Sequence, residues 1–153
     1  MVQLALFQPD IPHNTGTLFR LCACLDIPLH IIEPAGFRLD KRALKRAGMD
    51  YLEHCNWTKH AHWDSFYQWS QTESYKLILG TTKSSKNYIK VDYNKNDILL
   101  LGRESSGVPD DVHQICDERI TIPMKHNMRS LNVAISGAMI LGEMIRQTDE
   151  SRM

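Results

Sequence analysis

The sequence predicts an α/β fold with a mostly parallel sheet, and three observations carry that prediction. Apolar runs of strand length alternate with helix-period segments almost throughout the 153 residues. Several of these runs are apolar at consecutive positions, the pattern of strands covered by helices on both faces. Composition is that of a globular chain, with 42% hydrophobic and 24% charged residues. The length matches one domain able to bury a sizeable core. With 18 Lys+Arg against 18 Asp+Glu the formal net charge is zero, which excludes a generally basic nucleic-acid coat and an acidic solvating chain. A local basic patch remains compatible with that balance.

The first strand is expected over 2–7; this start lacks the basic residues and apolar length of a signal peptide. Leu18, Leu21, Cys22 and Leu25 follow i, i+3, i+4, i+7 spacing on a helix that Asn14 or Thr15 can cap. A second strand is expected over 29–32, then a short basic helix over 40–47 closed by Gly48. Trp63, Phe66, Tyr67 and Trp69 mark a helix over 62–71, followed by a strand over 76–79. The polar stretch 81–96 reads as a loop at the C-terminal edge of that strand, where open α/β sheets bind ligands. Strands at 98–101 and 119–122 follow, with Pro109 starting a helix between them. The longest helix is expected over 130–147, with Ser130 as its cap.

No internal repeat, linker or low-complexity tract interrupts this order. No apolar run approaches the ~18 residues of a membrane span, so no membrane partner is expected. Cys22, Cys24, Cys55 and Cys116 form neither a disulfide framework nor a zinc knuckle, and read as reduced thiols of a cytoplasmic protein. His13, His54, His60, His62 and His126 lack H-E-x-x-H spacing, so no metal is expected.

Three constellations stand out. Pro12-His13-Asn14-Thr15-Gly16-Thr17-Leu18-Phe19-Arg20 follows the first strand and opens a helix, where free N–H groups favour anions. Arg20, six residues after Asn14, can share a broad face with the loop; an N-cap followed by a surface arginine is the plainer reading. Leu101-Gly102-Arg103-Glu104-Ser105-Ser106-Gly107-Val108-Pro109 joins a strand to a loop whose glycines permit close approach of a ligand. It is neither a dinucleotide fingerprint nor a P-loop, and a tight strand-to-helix turn also accounts for it. Ile122-Pro123-Met124 and Ser130-Leu131-Asn132 precede a helix carrying Gly137 and Gly142. Glycine costs a helix ~1 kcal/mol against alanine, so these two suggest close approach of a cofactor loop or a partner subunit; a plain core helix is the alternative.

Taken together and in this order, the motifs resemble those of the SPOUT class of RNA methyltransferases. The match is to its small branch, the tRNA (cytidine/uridine-34-2′-O)-methyltransferases. Asn14-x-Gly16-x-x-x-Arg20, Gly102-x-Glu104-x-x-Gly107-Val108-Pro109 and Ile122-Pro123-Met124 with Ser130-Leu131-Asn132 look like the class's three motifs. The resemblance covers essentially the whole chain and implies a single SPOUT domain over 1–153 with no appended RNA-binding domain. It changes the expected fold from a doubly wound, Rossmann-like sheet to one whose C-terminal third is tied in a trefoil knot, which ordinary topology rules would not suggest.

The resemblance further implies S-adenosylmethionine as cofactor, held by Leu79 or Gly80, Gly102, Ile122, Met124, Ser130 and Leu131. Arg20 is implied as the catalytic residue, with Asn14, Glu104, Ser130 and Asn132 completing the site. A homodimer through the first and last helices and a tRNA substrate methylated at the wobble ribose are implied too. An rRNA 2′-O-methyltransferase is the main alternative, and a non-catalytic RNA-binding or ribosome-assembly factor a second. A Rossmann-type oxidoreductase is disfavoured by the missing dinucleotide fingerprint.

For RNA contact, Arg38, Lys41, Arg42, Lys45 and Arg46 oppose only Asp40, and Lys83, Lys86 and Lys90 add a second basic stretch. Such residues meet phosphates in a salt-sensitive, sequence-independent way; a solvated helix face is the competing reading. Trp57, Trp63, Phe66 and Trp69 can stack bases, although Trp63 and Phe66 sit at core spacing. Two-fold pairing would double the basic patches of a chain that is neutral overall.

Overall fold

The apolar runs become one parallel sheet in the computed structural model, which describes residues 1–149. Among these residues the strands are β1 (Gln3–Phe7), β2 (Leu29–Ile32), β3 (Trp57–His60), β4 (Lys76–Gly80), β5 (Asp97–Leu101) and β6 (Glu118–Ile120). Their order across the sheet is β3-β2-β1-β5-β4-β6. The helices are α1 (Pro12–Leu25), α2 (Lys41–Arg46), α3 (Trp63–Thr72), α4 (Asp110–Ile115) and α5 (Val133–Thr148), with 3₁₀ turns at Leu52–His54 and Tyr88–Lys90.

Every residue of β1, β2 and β5 is buried, because helices cover both faces of the sheet's centre. One face packs Leu4, Leu6, Leu29, Ile31, Leu99 and Leu101 with Leu18, Phe19 and Cys22 of α1 and Ile140, Leu141 and Met144 of α5. The other packs Ala5, Phe7, Ile32, Leu77, Leu79 and Leu100 with Phe66 of α3 and Val112 of α4. Gly137 lets α5 settle onto this sheet: an added Cβ would lie 3.0 Å from Leu101 Cδ1 and 3.1 Å from Leu18 Cδ2. Those neighbours are side chains of the core, not another backbone. Gly142 faces open space, with nothing within 4 Å of an added Cβ.

β3 is absent from the sequence-based reading. It is an edge strand with Thr58 and Lys59 exposed, so it lacks the consecutive apolar residues that mark the centre. α1 starts at Pro12, with Ile11 at the N-cap and no side-chain cap bond. Proline suits that first helical position, so Asn14 and Thr15 fall inside the first turn and do not cap it. α5 is capped by Asn132, not Ser130: Ala134 N and Ile135 N donate to Asn132 Oδ1 at 2.8 and 3.3 Å. Asp40 caps α2 by accepting from Ala43 N at 2.9 Å, and Gly48 closes the turn beyond it at φ +80.

The aromatic residues considered for base stacking are engaged by the fold. Trp57 meets Phe19 edge-on at 5.1 Å, Trp63 lies between Phe7 and Tyr67, and Phe66 is fully buried. Trp69 packs on a buried polar row, where His30 Nδ1 lies 2.9 Å from His60 Nε2 and His30 Nε2 lies 2.6 Å from Gln3 Oε1. Because a carbonyl oxygen only accepts, His30 Nε2 donates to Gln3, and His60 Nε2 donates to His30 Nδ1. The row is satisfied with both imidazoles neutral. Burial, and then His60 beside it, hold His30 down at about 4.

Candidate active site

The C-terminal ends of β4, β5 and β6 open into a cavity of about 470 Å³, within the range that holds a cofactor-sized ligand. Its walls take Leu79 and Gly80 from β4, Leu101 and Gly102 from the end of β5, and Ile120 and Ile122 from the end of β6. Met124, Ser130, Leu131 and Asn132 close it from the segment leading into α5, and Asn14 closes it from α1. Every residue that the sequence reading assigned to cofactor contact therefore lines one cavity, although the segments lie far apart in the chain.

Hydrogen bonds fix the loops around it. Asn132 Nδ2 donates to Asn14 Oδ1 at 2.9 Å across 118 residues of chain, while the same side chain caps α5. That arrangement spends the acceptor of Asn14 and leaves its Nδ2 as a donor at the cavity wall. Glu104 Oε2 accepts from Asp10 N at 2.9 Å, joining the β1–α1 and β5–α4 loops. Ser105 Oγ donates to Asp10 Oδ2, and Arg103 Nε lies 3.5 Å from the same oxygen. The side-chain hydrogen bond with Glu104, then Ser105 and Arg103, hold Asp10 down to about 2 against the opposing effect of burial. Burial, then the Asp10 carboxyl, push Glu104 up. Neighbouring carboxyl groups oppose each other's ionisation, so Glu104 gives up its proton less readily than Asp10 does.

Gly102 works differently from the sequence-based expectation. An added Cβ would stand 2.6 Å from Gly107 C and 2.7 Å from Gly107 Cα. The close approach is by the loop's own backbone, which folds back through paired Arg103–Gly107 hydrogen bonds of 2.9 Å each. Gly107 supplies the positive φ of +66 that the turn requires.

Arg20 stands outside the cavity. Six residues along an α-helix turn the side chain by about 600°, leaving it roughly 120° from Asn14 and about 9 Å further along the axis. It is exposed, and its guanidinium carbon lies 5.0 Å from the centroid of the Tyr51 ring. Of the basic residues, Lys83 lines the cavity, whereas Lys86 pairs with Glu118 at 2.9 Å. Arg38 pairs with Asp40 at 2.9 Å, and Lys41 and Lys45 converge on Glu53 Oε1 at 3.5 and 3.2 Å. Arg42 and Arg46 make no ion pair among the described residues, and with the two lysines they border a shallow depression. Sequence reasoning named none of Thr81, Thr82, Arg103 and His113 as a site residue, though all four line the cavity. The first two open the 81–96 loop, which the strand-edge rule already places where ligands bind.

The cavity suits S-adenosylmethionine on two grounds. Leu79, Leu101, Ile122, Leu131 and Ile140 offer apolar walls for an adenine ring. The main-chain groups of Ile122, Met124 and Leu131 have no hydrogen-bond partner among the described residues and are open to a ligand's polar edge.

The family model described as SpoU rRNA Methylase matches residues 1–142. The chain belongs to that family. A relative named tRNA (cytidine(34)-2′-O)-methyltransferase, from Beijerinckia indica subsp. indica, is 50% identical over 144 residues, covering 94% of this chain and 90% of the relative. A structure solved to explain 2-OH methylation of C/U34 on tRNA superposes with a TM-score of 0.88 at 34% identity, covering 96% of this chain and 95% of the other. The SpoU methyltransferase AviRb from Streptomyces viridochromogenes, solved in complex with AdoMet, superposes with a TM-score of 0.83 at 22% identity, covering 96% of this chain and 60% of that one. That last likeness shows the shared fold.

Proposed function

We propose that this SpoU-family chain transfers the methyl group of S-adenosylmethionine to the ribose 2′-hydroxyl of nucleotide 34, the wobble position, of tRNA. The observation that carries the proposal is the convergence of all three motifs on one cavity, locked by the Asn14–Asn132 bond. The wobble-nucleotide specificity rests on the relatives, which bear that activity in their names at up to 50% identity. When bound, S-adenosylmethionine supplies an electrophilic methyl group. Leu79, Ile122 and Leu131 hold its apolar parts, and Gly102 keeps the β5–α4 loop folded against them. Asn14 Nδ2 and Ser130 orient the ribose, and the Glu104–Asp10 pair fixes the two loops relative to each other. In-line transfer needs the hydroxyl about 3–3.5 Å from the methyl carbon, so positioning supplies much of the acceleration.

Arg20 grips the adjacent phosphate and stabilises the developing alkoxide. A guanidinium with a pKa above ~12 is a scarce base at neutral pH, so the proton leaves through phosphate or water. Since Arg20 lies outside its own chain's cavity, a second copy completes the site. Exposed Ile135 and Met139, one turn apart on α5, support a homodimer through the α1 and α5 faces, as do exposed Ile11 beside α1 and the open Gly142. A trefoil-knotted C-terminal third is supported by the 81–90 loop, which straps the end of β6. Ser84 Oγ donates to Arg119 O at 2.8 Å, Thr121 N to Lys86 O at 2.8 Å, and Tyr88 N to Thr121 O at 3.0 Å. The chain acts as one domain in the cytoplasm, a reading supported by four free thiols and a tRNA substrate.

Labelled S-adenosylmethionine incubated with total tRNA and rRNA, followed by nucleoside mapping, tests the proposal. A 2′-O-methyl pyrimidine at tRNA position 34 is expected; label confined to rRNA overturns it. Arg20→Ala should still bind the cofactor yet lose methyl transfer, and equal activity in the two proteins removes Arg20 from the mechanism. Arg20→Lys separates charge from shape, because only arginine offers a planar two-pronged grip.

A further inference from the structure

Of the first motif only Asn14 lines the cavity; Arg20 lies away from it, and what its guanidinium meets there is a ring. Its guanidinium carbon lies 5.0 Å from the Tyr51 centroid, inside the ~6 Å reach of a cation–π contact. Neither Asp50 nor Glu53, the acids flanking Tyr51, pairs with it. Glu53 Oε1 is already engaged by Lys45 at 3.2 Å and Lys41 at 3.5 Å. A carboxylate against Arg20 would occupy the donors that a phosphate needs. A π face orients the guanidinium without spending any of its five N–H groups.

Tyr51 is itself held by a segment hooked onto α1. Leu44, Met49 and Leu52 are buried, and Met49 N donates to Leu44 O at 3.1 Å. Met49 packs over Gly16, where an added Cβ would stand 3.2 Å from Met49 Cγ. Directly beyond Tyr51 the chain enters the 3₁₀ turn, in which His54 N donates to Tyr51 O at 3.1 Å. The glycine of Asn14-x-Gly16-x-x-x-Arg20 thus has a physical reason unconnected with ligand contact. It is the seat that brings Tyr51 beneath Arg20 one turn further along the same helix.

We propose that Tyr51 is the positioning residue for Arg20: its ring presents the guanidinium, with all donors free, to the substrate phosphate and reacting ribose. This rests on the methyltransferase reading above. In Tyr51→Leu, kcat falls roughly two- to five-fold, the scale of an exposed cation–π contact, while KM for S-adenosylmethionine stays unchanged. Tyr51→Phe keeps a π face and recovers most of the loss. A separate readout needs no turnover: ring-current shifts of the Arg20 side-chain NMR signals are present in the wild type and in Tyr51→Phe and vanish in Tyr51→Leu. Absence of transfer by the wild type overturns the methyltransferase reading and this one with it. An active wild type matched by an equally active Tyr51→Leu overturns the positioning role alone, as does a Tyr51→Phe protein as impaired as Tyr51→Leu. A melting temperature for Tyr51→Leu below the assay temperature moves the decision to the ring-current shifts, whose absence in the wild type overturns the proposal.

Discussion

Gly102→Ala adds one methyl group at the place where the β5–α4 loop closes on itself. The new Cβ would stand 2.6, 2.7 and 3.0 Å from the C, Cα and O atoms of Gly107, against ordinary contacts of 3.4 Å or more. Relieving that overlap requires a shift of about 0.8 Å, and every atom in the way is backbone. The two Arg103–Gly107 hydrogen bonds would have to lengthen or break. At ~0.5–1.5 kcal/mol each, and ~1–3 kcal/mol for overpacking generally, the closed loop loses about 1–3 kcal/mol. The wall that this loop gives the cavity moves with it. Isothermal titration with S-adenosylmethionine should therefore show Kd raised about ten-fold or more, a tenfold change being ~1.4 kcal/mol. Thermal unfolding should show a lower melting temperature. A variant with the wild-type Kd and melting temperature would refute the reasoning, because the glycine would then serve no packing constraint.

Further outcomes follow from other contacts. Asn132→Ser keeps a capping oxygen for α5 but drops the bond to Asn14, so stability should stay within about 1 kcal/mol of wild type while methyl transfer falls; a fully active Asn132→Ser beside an impaired Asn132→Ala would assign the residue to the cap alone. His30, held at about 4 in the fold against ~6.5 unfolded, contributes stability fully present above pH 6.5 and lost as pH falls toward 4. Two and a half units amount to about 3 kcal/mol, measurable as a falling urea midpoint and, residue by residue, as an NMR titration; an imidazole that titrates near 6.5 contradicts the buried neutral row. Neutralising Arg42 and Arg46 together should reduce the log–log salt slope of tRNA binding by roughly 1.5–2, and an unchanged slope would mark α2 as a solvated face.

What the sequence disclosed follows the physics of burial. β1, β2 and β5 are apolar at nearly every position because both their faces are covered, and they stand out without any structure. β3 does not, since Thr58 and Lys59 look to solvent and its Trp57 and His60 are spent on packing and on the histidine row. Helix ends were misplaced by one to three residues where two good caps compete, as Ser130 and Asn132 do. The cavity residues were legible through the resemblance of the three motifs to those of SPOUT methyltransferases, not through spacing or composition. The position of Arg20 was not: helical spacing sends it away from Asn14, and only the tertiary seat of Met49 on Gly16 reveals the ring beneath it. Lys41 and Lys45 illustrate a further limit, since counting charge along the chain overlooks Glu53 eight or more residues away, which claims them both.

The adjacency of β1 and β5 has a consequence for how the protein acquires its site. β1, β2 and β3 pair with near neighbours in the chain, but Leu6 meets Leu101 and Ala5 meets Leu100 across about 95 residues. Such pairings come late and slowly, because a long loop must close before the contacts reward it. The first motif hangs from β1 and the second from β5, so the Asp10–Glu104 clasp cannot exist until that stitch is made. A growing chain that has passed β3 has a half-sheet with a bare edge at β1 and no cavity. On the methyltransferase reading proposed above, S-adenosylmethionine should stabilise chains whose sheet is complete and not those stalled before β5.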